Sequence, residues 1–299
     1  MIVVKLIGGL GNQLFQYALG RHLAHMNHTE LKLDISGFGD YKLHAYSLGH
    51  FNIVENFATK EEVAKFQKYR RKPGKWWFLY NRLIANEHKY VQEKQFHFDS
   101  RILEIGRESY LDGYWQTEKY FSAEGGSASG GKDIENIIRK EATVKTPLQE
   151  KNAEIAREIV ATASVAIHVR RGDYVTNEQT NEYHGTCGVD YYRKAIGVMA
   201  EKVSGPHFFI FSDDHEWVKN NIVLEYPVIY VGHNNADKNY EDLRLISLCK
   251  HQIIANSSFS WWGAWLNPNK EKIVIAPKRW FQTSKMDTCD LLPDSWIKI

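Results

Sequence analysis

Four short stretches carry residue types suited to holding a charged, polar ligand. The first is Ile167-His168-Val169-Arg170-Arg171-Gly172-Asp173-Tyr174. On an extended strand alternate side chains share a face, so His168 and Arg170 project together while Val169 points the other way. A guanidinium is a planar, two-pronged donor that fits phosphate oxygens. The plainer alternative is a structural ion pair, with Asp173 partnering one of the arginines. The second stretch is Phe211-Ser212-Asp213-Asp214. A carboxylate at a strand terminus can accept from the ring-edge donors of guanine, or it can cap the helix expected from His215. The third runs Asn256-Ser257-Ser258-Phe259-Ser260 into Trp261-Trp262-Gly263-Ala264-Trp265. Small hydroxyl residues at a helix start leave backbone N–H groups and the helix dipole available to an anion. An ordinary N-cap explains one of these serines, not all of them. The fourth is Gly8-Gly9-Leu10-Gly11-Asn12-Gln13. It is no Walker loop, since no Gly-Lys-Ser/Thr follows. Gly9 and Gly11 fit the start of GxGxxG, but Leu14 stands where the last glycine belongs.

These groups act together only if the elements carrying them end side by side. Residues 2–7 read as a buried strand, 12–26 as a helix with Asn12 as N-cap and Leu14, Tyr17, Ala18 and Arg21 at helical spacing, and 31–35 as a second strand. Residues 55–120 resist assignment. The C-terminal half alternates more clearly. Strands are expected at 165–169, 208–211, 228–231, 253–255 and 273–276, and helices at 190–203, 215–222, 240–251 and 260–266. Such alternation implies a parallel sheet with right-handed crossovers. Ligands bind at the carboxyl ends of such strands. The three polar clusters at 168–173, 212–214 and 256–260 should therefore meet on one sheet edge. Two domains are expected, 1–150 and 151–299. Residues 124–132 (EGGSASGGK) offer nothing to bury and resemble an inserted or disordered linker.

Composition narrows the class. Of 299 residues, 38 are Lys or Arg and 36 Asp or Glu, a net charge of +2, which argues against nucleic acid as a partner. One basic run, Lys68–Lys75, precedes Trp77, Phe78 and Tyr80. It reads as a solvated helix end or as a contact with an anionic membrane surface. The cysteines Cys187, Cys249 and Cys289 are odd in number and far apart, so neither a disulfide framework nor a zinc knuckle is expected, and a cytoplasmic home is the simplest. The N-terminus does not read as a signal peptide, and no apolar run is long enough to span a bilayer. No Asp-x-Asp occurs.

In combination, GGLGNQLFQYALG, HVRRGDYV, FSDD and NSSFSWWGAWLN followed by APKRW resemble glycosyltransferase family 11, the α1,2-fucosyltransferases. The resemblance covers nearly the whole chain, with gaps near 55–105 and at the Gly/Ser segment. It implies an α/β fold of GT-B type, two Rossmann-like domains facing across a cleft. The N-terminal domain would take the acceptor and the C-terminal one the GDP-fucose donor. It implies an inverting, metal-independent transfer of L-fucose from GDP-β-L-fucose to the 2-hydroxyl of a terminal galactose, as in bacterial O-antigen synthesis, without a cofactor. The acceptor would be a galactose-terminated oligosaccharide or lipid-linked glycan. By looser similarity to other fucosyltransferases, Arg170 maps to the β-phosphate, His168 to the nucleotide and Asp213 to guanine. Ser257, Ser258 and Ser260, with Asn256 and Phe259 beside them, map to the phosphate turn, and Asn12 in its Gly9–Gly11 loop to the reacting sugar. No base carries over cleanly; Asp173 and Glu178 are the candidates. Another linkage, or an inactive nucleotide-sugar-binding protein, are the alternatives.

Overall fold

The computed structural model describes residues 1–39, 44–70, 89–122, 131–172, 175, 182–283 and 286–299. Asp173, Glu178, residues 124–130 and most of the basic run with its aromatic followers lie outside these. The chain divides into two compact units, Met1–Thr143 with Cys289–Leu291, and Val144–Thr288 with Leu292–Ile299.

The first unit is built on strands β1 (Ile2–Lys5), β2 (Leu31–Asp34), β3 (Lys89–Gln92) and β4 (Ser109–Asp112), in the order β2-β1-β4-β3, all parallel. Helix α1 (Leu10–Met26) links the first two strands. It starts earlier than the expected Asn12: Gly9 is the N-cap, so Asn12 already lies in the first turn. Leu14, Tyr17 and Ala18 are buried. Helix α2 (Lys60–Gln67) opens with a reciprocal cap between Thr59 and Glu62, and Val63 and Phe66 pack on Val3 and Tyr110. Helix α3 (Gly131–Glu141) follows. Gly131 and Lys132, expected within a linker, are its first residues.

The second unit contains α4 (Glu150–Ala161), β5 (Ala163–Val169), α5 (Val189–Lys202), β6 (Pro206–Ser212), α6 (His215–Asn221) and β7 (Val228–Val231). Then come α7 (Asn239–Leu248), β8 (His251–Ile253), α8 (Ser258–Leu266), β9 (Val274–Ala276) and β10 (Ile297–Lys298). The sheet order is β10-β9-β8-β5-β6-β7, every pair parallel. Both faces are covered, which is why β5 and β6 read as continuous apolar runs. Val165, Ile167 and Val169 face the α5 side with Tyr192, Ala195 and Met199. Ala166, Phe209 and Phe211 face α4 and α7 through Ile155, Ile159, Leu245 and Ile246. The expected helix through His251 stops at Leu248. The buried Gln252 amide donates to the Ile246 and Cys249 carbonyls, closing that helix, so β8 starts at His251 rather than Ile253. Two parallel α/β units agree with the expected fold class.

Candidate active site

The strand order of the second unit reverses between β5 and β8: β6 and β7 follow on one side, β9 and β10 on the other. Doubly wound sheets bind ligands at such a switch point, outside the carboxyl ends of the strands. The loop after β5 holds Arg170 and Arg171. The turn after β8 holds Asn256 and Ser257 and leads into α8. The loop after the neighbouring β6 holds Asp213 and Asp214. The three clusters thus share one edge, as their spacing implied.

His168, near the end of β5, is 7% exposed, and its Nδ1 has no partner among the described residues. Burial, helped by the nearby Arg170 charge and opposed by Asp213, pushes its pKa down to about 4. The imidazole is therefore neutral at physiological pH, with one N–H and one lone pair. The Phe259 ring lies 5.3 Å away, centroid to centroid.

The strand ends at Val169, so face alternation does not extend to the arginines. Arg170 pairs with Asp213 at 2.9 Å, and the other Asp213 oxygen accepts the Arg171 backbone N–H at 2.8 Å. Asp213, expected to read guanine, thus first orients the Arg170 loop. Arg171 pairs with Asp214 at 3.2 Å and lies 4.0 Å over the Trp217 ring; Asp173, the partner expected for one of the arginines, lies outside the described residues. Asp214 also caps α6 by accepting from the Trp217 N–H, the capping role foreseen for one of the two aspartates.

At the turn into α8, Ser257 is the N-cap but makes no side-chain capping bond. Ser258 and Phe259 form the first helical positions. Ser260 is fully buried and its hydroxyl donates to the Ala255 and Ser257 carbonyls, so it braces the turn. Asn256 donates to the carbonyls of His184, Gly185 and Trp280, tying three loops together. Behind it, Trp261, Trp262 and Trp265 form a buried aromatic cluster. Next to Asn256 a cavity of about 240 Å³ is lined by His184, Cys187, Arg279 and Gln282, among others.

Gly9, Gly11 and Asn12 belong to the first unit, in the loop after β1. Asn12 Oδ1 accepts from Gln116 at 2.7 Å. Two residues given no role in the sequence reading do more here. Gln13 bonds the Gly8 and Ala45 carbonyls and the Ser47 N–H; Gln16 bonds the Ile7 N–H and the Gly113 carbonyl. Both are fully buried amides on an otherwise apolar helix face, and that polarity was the available signal. Among the described residues no three His, Cys, Asp or Glu side chains stand together as metal ligands would, and no helix is long and apolar enough to cross a membrane.

The sequence profile of Glycosyl transferase family 11 matches residues 1–299. The chain belongs to this family. An α-1,2-colitosyltransferase of Escherichia coli is 33% identical over 100% of this chain and 99% of its own length. A galactoside α-(1,2)-fucosyltransferase 1 of Lagothrix lagotricha is 28% identical over 43% of this chain and 37% of its own. Among solved structures, NodZ α-1,6-fucosyltransferase from Bradyrhizobium, soaked with GDP-fucose, superposes with a TM-score of 0.52 over 89% of this chain and 92% of that one, at 13% identity. That likeness establishes a shared fold. Within the family 11 chain, the switch-point edge of the second unit carries His168, Arg170, Asp213 and residues 256–260, whereas Gly9 and Gly11, also expected on the donor side, lie in the first unit.

Proposed function

We propose that this family 11 glycosyltransferase moves L-fucose from GDP-β-L-fucose to the 2-hydroxyl of a terminal β-galactoside, with inversion and without a metal ion. The observation that carries the donor side is Arg170 in the loop after β5, the strand beside the β8 that leads into α8, next to a neutral, buried His168 that meets Phe259 of α8. As the bond between fucose C1 and the β-phosphate oxygen breaks, negative charge grows on GDP and the sugar becomes oxocarbenium-like. A preoriented guanidinium and the backbone N–H groups opening α8 meet that charge. Asp213 holds the guanidinium in place beforehand, which lowers the reorganisation needed when the charge develops. His168 offers a donor and an acceptor to a purine edge, and the phenyl ring of Phe259 flanks it. The acceptor hydroxyl attacks C1 from the face opposite the leaving GDP and gives up its proton; Asp173 and Glu178 remain the carboxylates proposed to take it.

The colitosyltransferase relative, aligned over the whole chain, favours a second reading in which the transferred sugar is colitose. A cytoplasmic site of action, with peripheral contact through residues 68–75, completes the proposal and is tested by vesicle flotation. To test the reaction itself, the enzyme is given GDP-fucose and lactose in excess EDTA and the product linkage is read by NMR. An α1,2 linkage formed at full rate is expected. Recovery only on adding Mn²⁺ or Mg²⁺ would overturn metal independence, and a preference for GDP-colitose over GDP-fucose would decide for the second reading.

A further inference from the structure

We propose that the loop Gly113–Gln116 in the first unit is the acceptor-sugar subsite, with Tyr114 as the surface on which a galactopyranose ring packs and Glu93 as the residue that positions it. This rests on the transferase reading above and adds where and how the acceptor is held.

The loop follows β4, one of the two central strands, at the carboxyl edge where α/β sheets take ligands. It is fixed from every side. Glu93, the first residue beyond β3, accepts the Tyr114 N–H at 2.7 Å and the Trp115 N–H at 3.0 Å with its two oxygens. Gly113 rests against the same side chain: a Cβ there would lie 2.4 Å from the Glu93 Cβ. The Gly113 carbonyl accepts from Gln16, and Gln116 donates to Asn12, so both neighbours of the Tyr114–Trp115 pair are stapled to α1. Trp115 adopts φ 57°, a left-handed conformation unfavourable for a bulky side chain. Such conformations persist only where the surroundings over-determine them, and they concentrate at functional sites.

The anchoring has one visible product. Trp115 and Gln116 are buried, while Tyr114, between Gly113 and Trp115, is 40% exposed. An aromatic side chain held on a rigid loop, two residues before a Gln116 amide that bonds Asn12, suits a ligand with an apolar face and a rim of hydroxyls. Galactopyranose is such a ligand: its axial 4-hydroxyl leaves the opposite face lined by C–H groups.

The test combines kinetics with direct binding. Wild type, Tyr114→Ala, Tyr114→Phe and Glu93→Gln are assayed for the KM of acceptor and donor. Lactose binding is read by saturation-transfer NMR without donor, GDP binding by calorimetry. Tyr114→Ala should raise the acceptor KM by about tenfold or more, one aromatic contact's worth. It should abolish lactose saturation and leave GDP affinity unchanged. Tyr114→Phe should restore wild-type behaviour to within about threefold, since the ring and not the hydroxyl is invoked. Glu93→Gln keeps the shape but removes one acceptor from the two N–H groups, so the acceptor KM should rise more than kcat falls. An unchanged acceptor KM and unchanged lactose saturation in Tyr114→Ala would overturn the proposal, as would an equal loss of GDP affinity. If wild type binds lactose but transfers nothing from GDP-fucose, the proposed reaction fails and the Tyr114→Ala saturation signal alone decides the subsite. If wild type gives no lactose saturation, the subsite is overturned.

Discussion

Replacing Arg170 with Ala separates catalytic electrostatics from folding. The guanidinium is 29% exposed and its partner Asp213 26% exposed, so their pair at 2.9 Å is screened and contributes at most about 1 kcal/mol to stability. Its loss strands no buried charge, because Asp213 keeps the Arg171 backbone N–H at 2.8 Å. The melting temperature should therefore fall by no more than about 4 °C. The effect on turnover is of another order. Removing one preorganised donor from a developing anion raises the barrier by about 2.7–4 kcal/mol, a loss of roughly 10²–10³ in kcat. Arg170→Lys keeps the charge but not the planar fork, and should recover only part of the rate. GDP release assays and thermal melts on the three proteins check this directly. Normal turnover in Arg170→Ala, or a rate loss matched by a large drop in melting temperature, would refute the assignment.

The other predictions concern the frame around that residue. Arg171→Ala removes an ion pair and the stack on Trp217, together about 1–2 kcal/mol, so it should lower the melting temperature by a few degrees and leave kcat within about twofold. Asp242 is held by burial, with Glu241 adding to the shift and the Asn234 hydrogen bond opposing it, at a pKa of about 7, against 3.8 for the free group. The folded state binds this proton more tightly than the unfolded chain, so its stabilising contribution is lost as pH rises from about 4 to 7 and stays lost above that. Melts from pH 5 to 8 should show Asp242→Asn shedding part of the wild-type decline, and parallel curves would contradict the burial argument. Gly263→Ala places a Cβ 2.4 Å from Ile246 Cγ2 where α8 meets α7, and should cost about 1–3 kcal/mol in a denaturant titration.

Much of the second unit was legible because its strands are apolar on both faces and each ends in a polar cluster, as Val165–Val169 and Phe208–Phe211 do. What escaped was non-local. Asn12 has the chemistry of an N-cap, yet the helix starts from Gly9, just after Gly8 at φ 76°, and the Asn12 side chain serves Gln116, far along the chain. The aspartate partners of the arginines were missed for a related reason. In the β5–β6 register His168 stands opposite Phe211 and Val169 opposite Ser212. Continuing that register past the strand ends sets Arg170 beside Asp213 and Arg171 beside Asp214, which are the pairs observed. The parallel sheet was inferred, but its register was not, and register is what chooses partners. Glu93 gave no signal at all, since a lone Glu after an exposed strand says nothing of the two backbone N–H groups it will meet.

The short return of residues 289–291 to the first unit bears on how members of this family can be recombined. Asp290 accepts the Phe98 N–H at 3.1 Å and pairs with Lys119, both in the first unit. A chimera spliced only between Thr143 and Val144 would join one parent's Phe98 and Lys119 to the other parent's Asp290. An exchange that keeps each module's own bonds must carry Cys289–Leu291 with the N-terminal parent, which takes three crossover points rather than one.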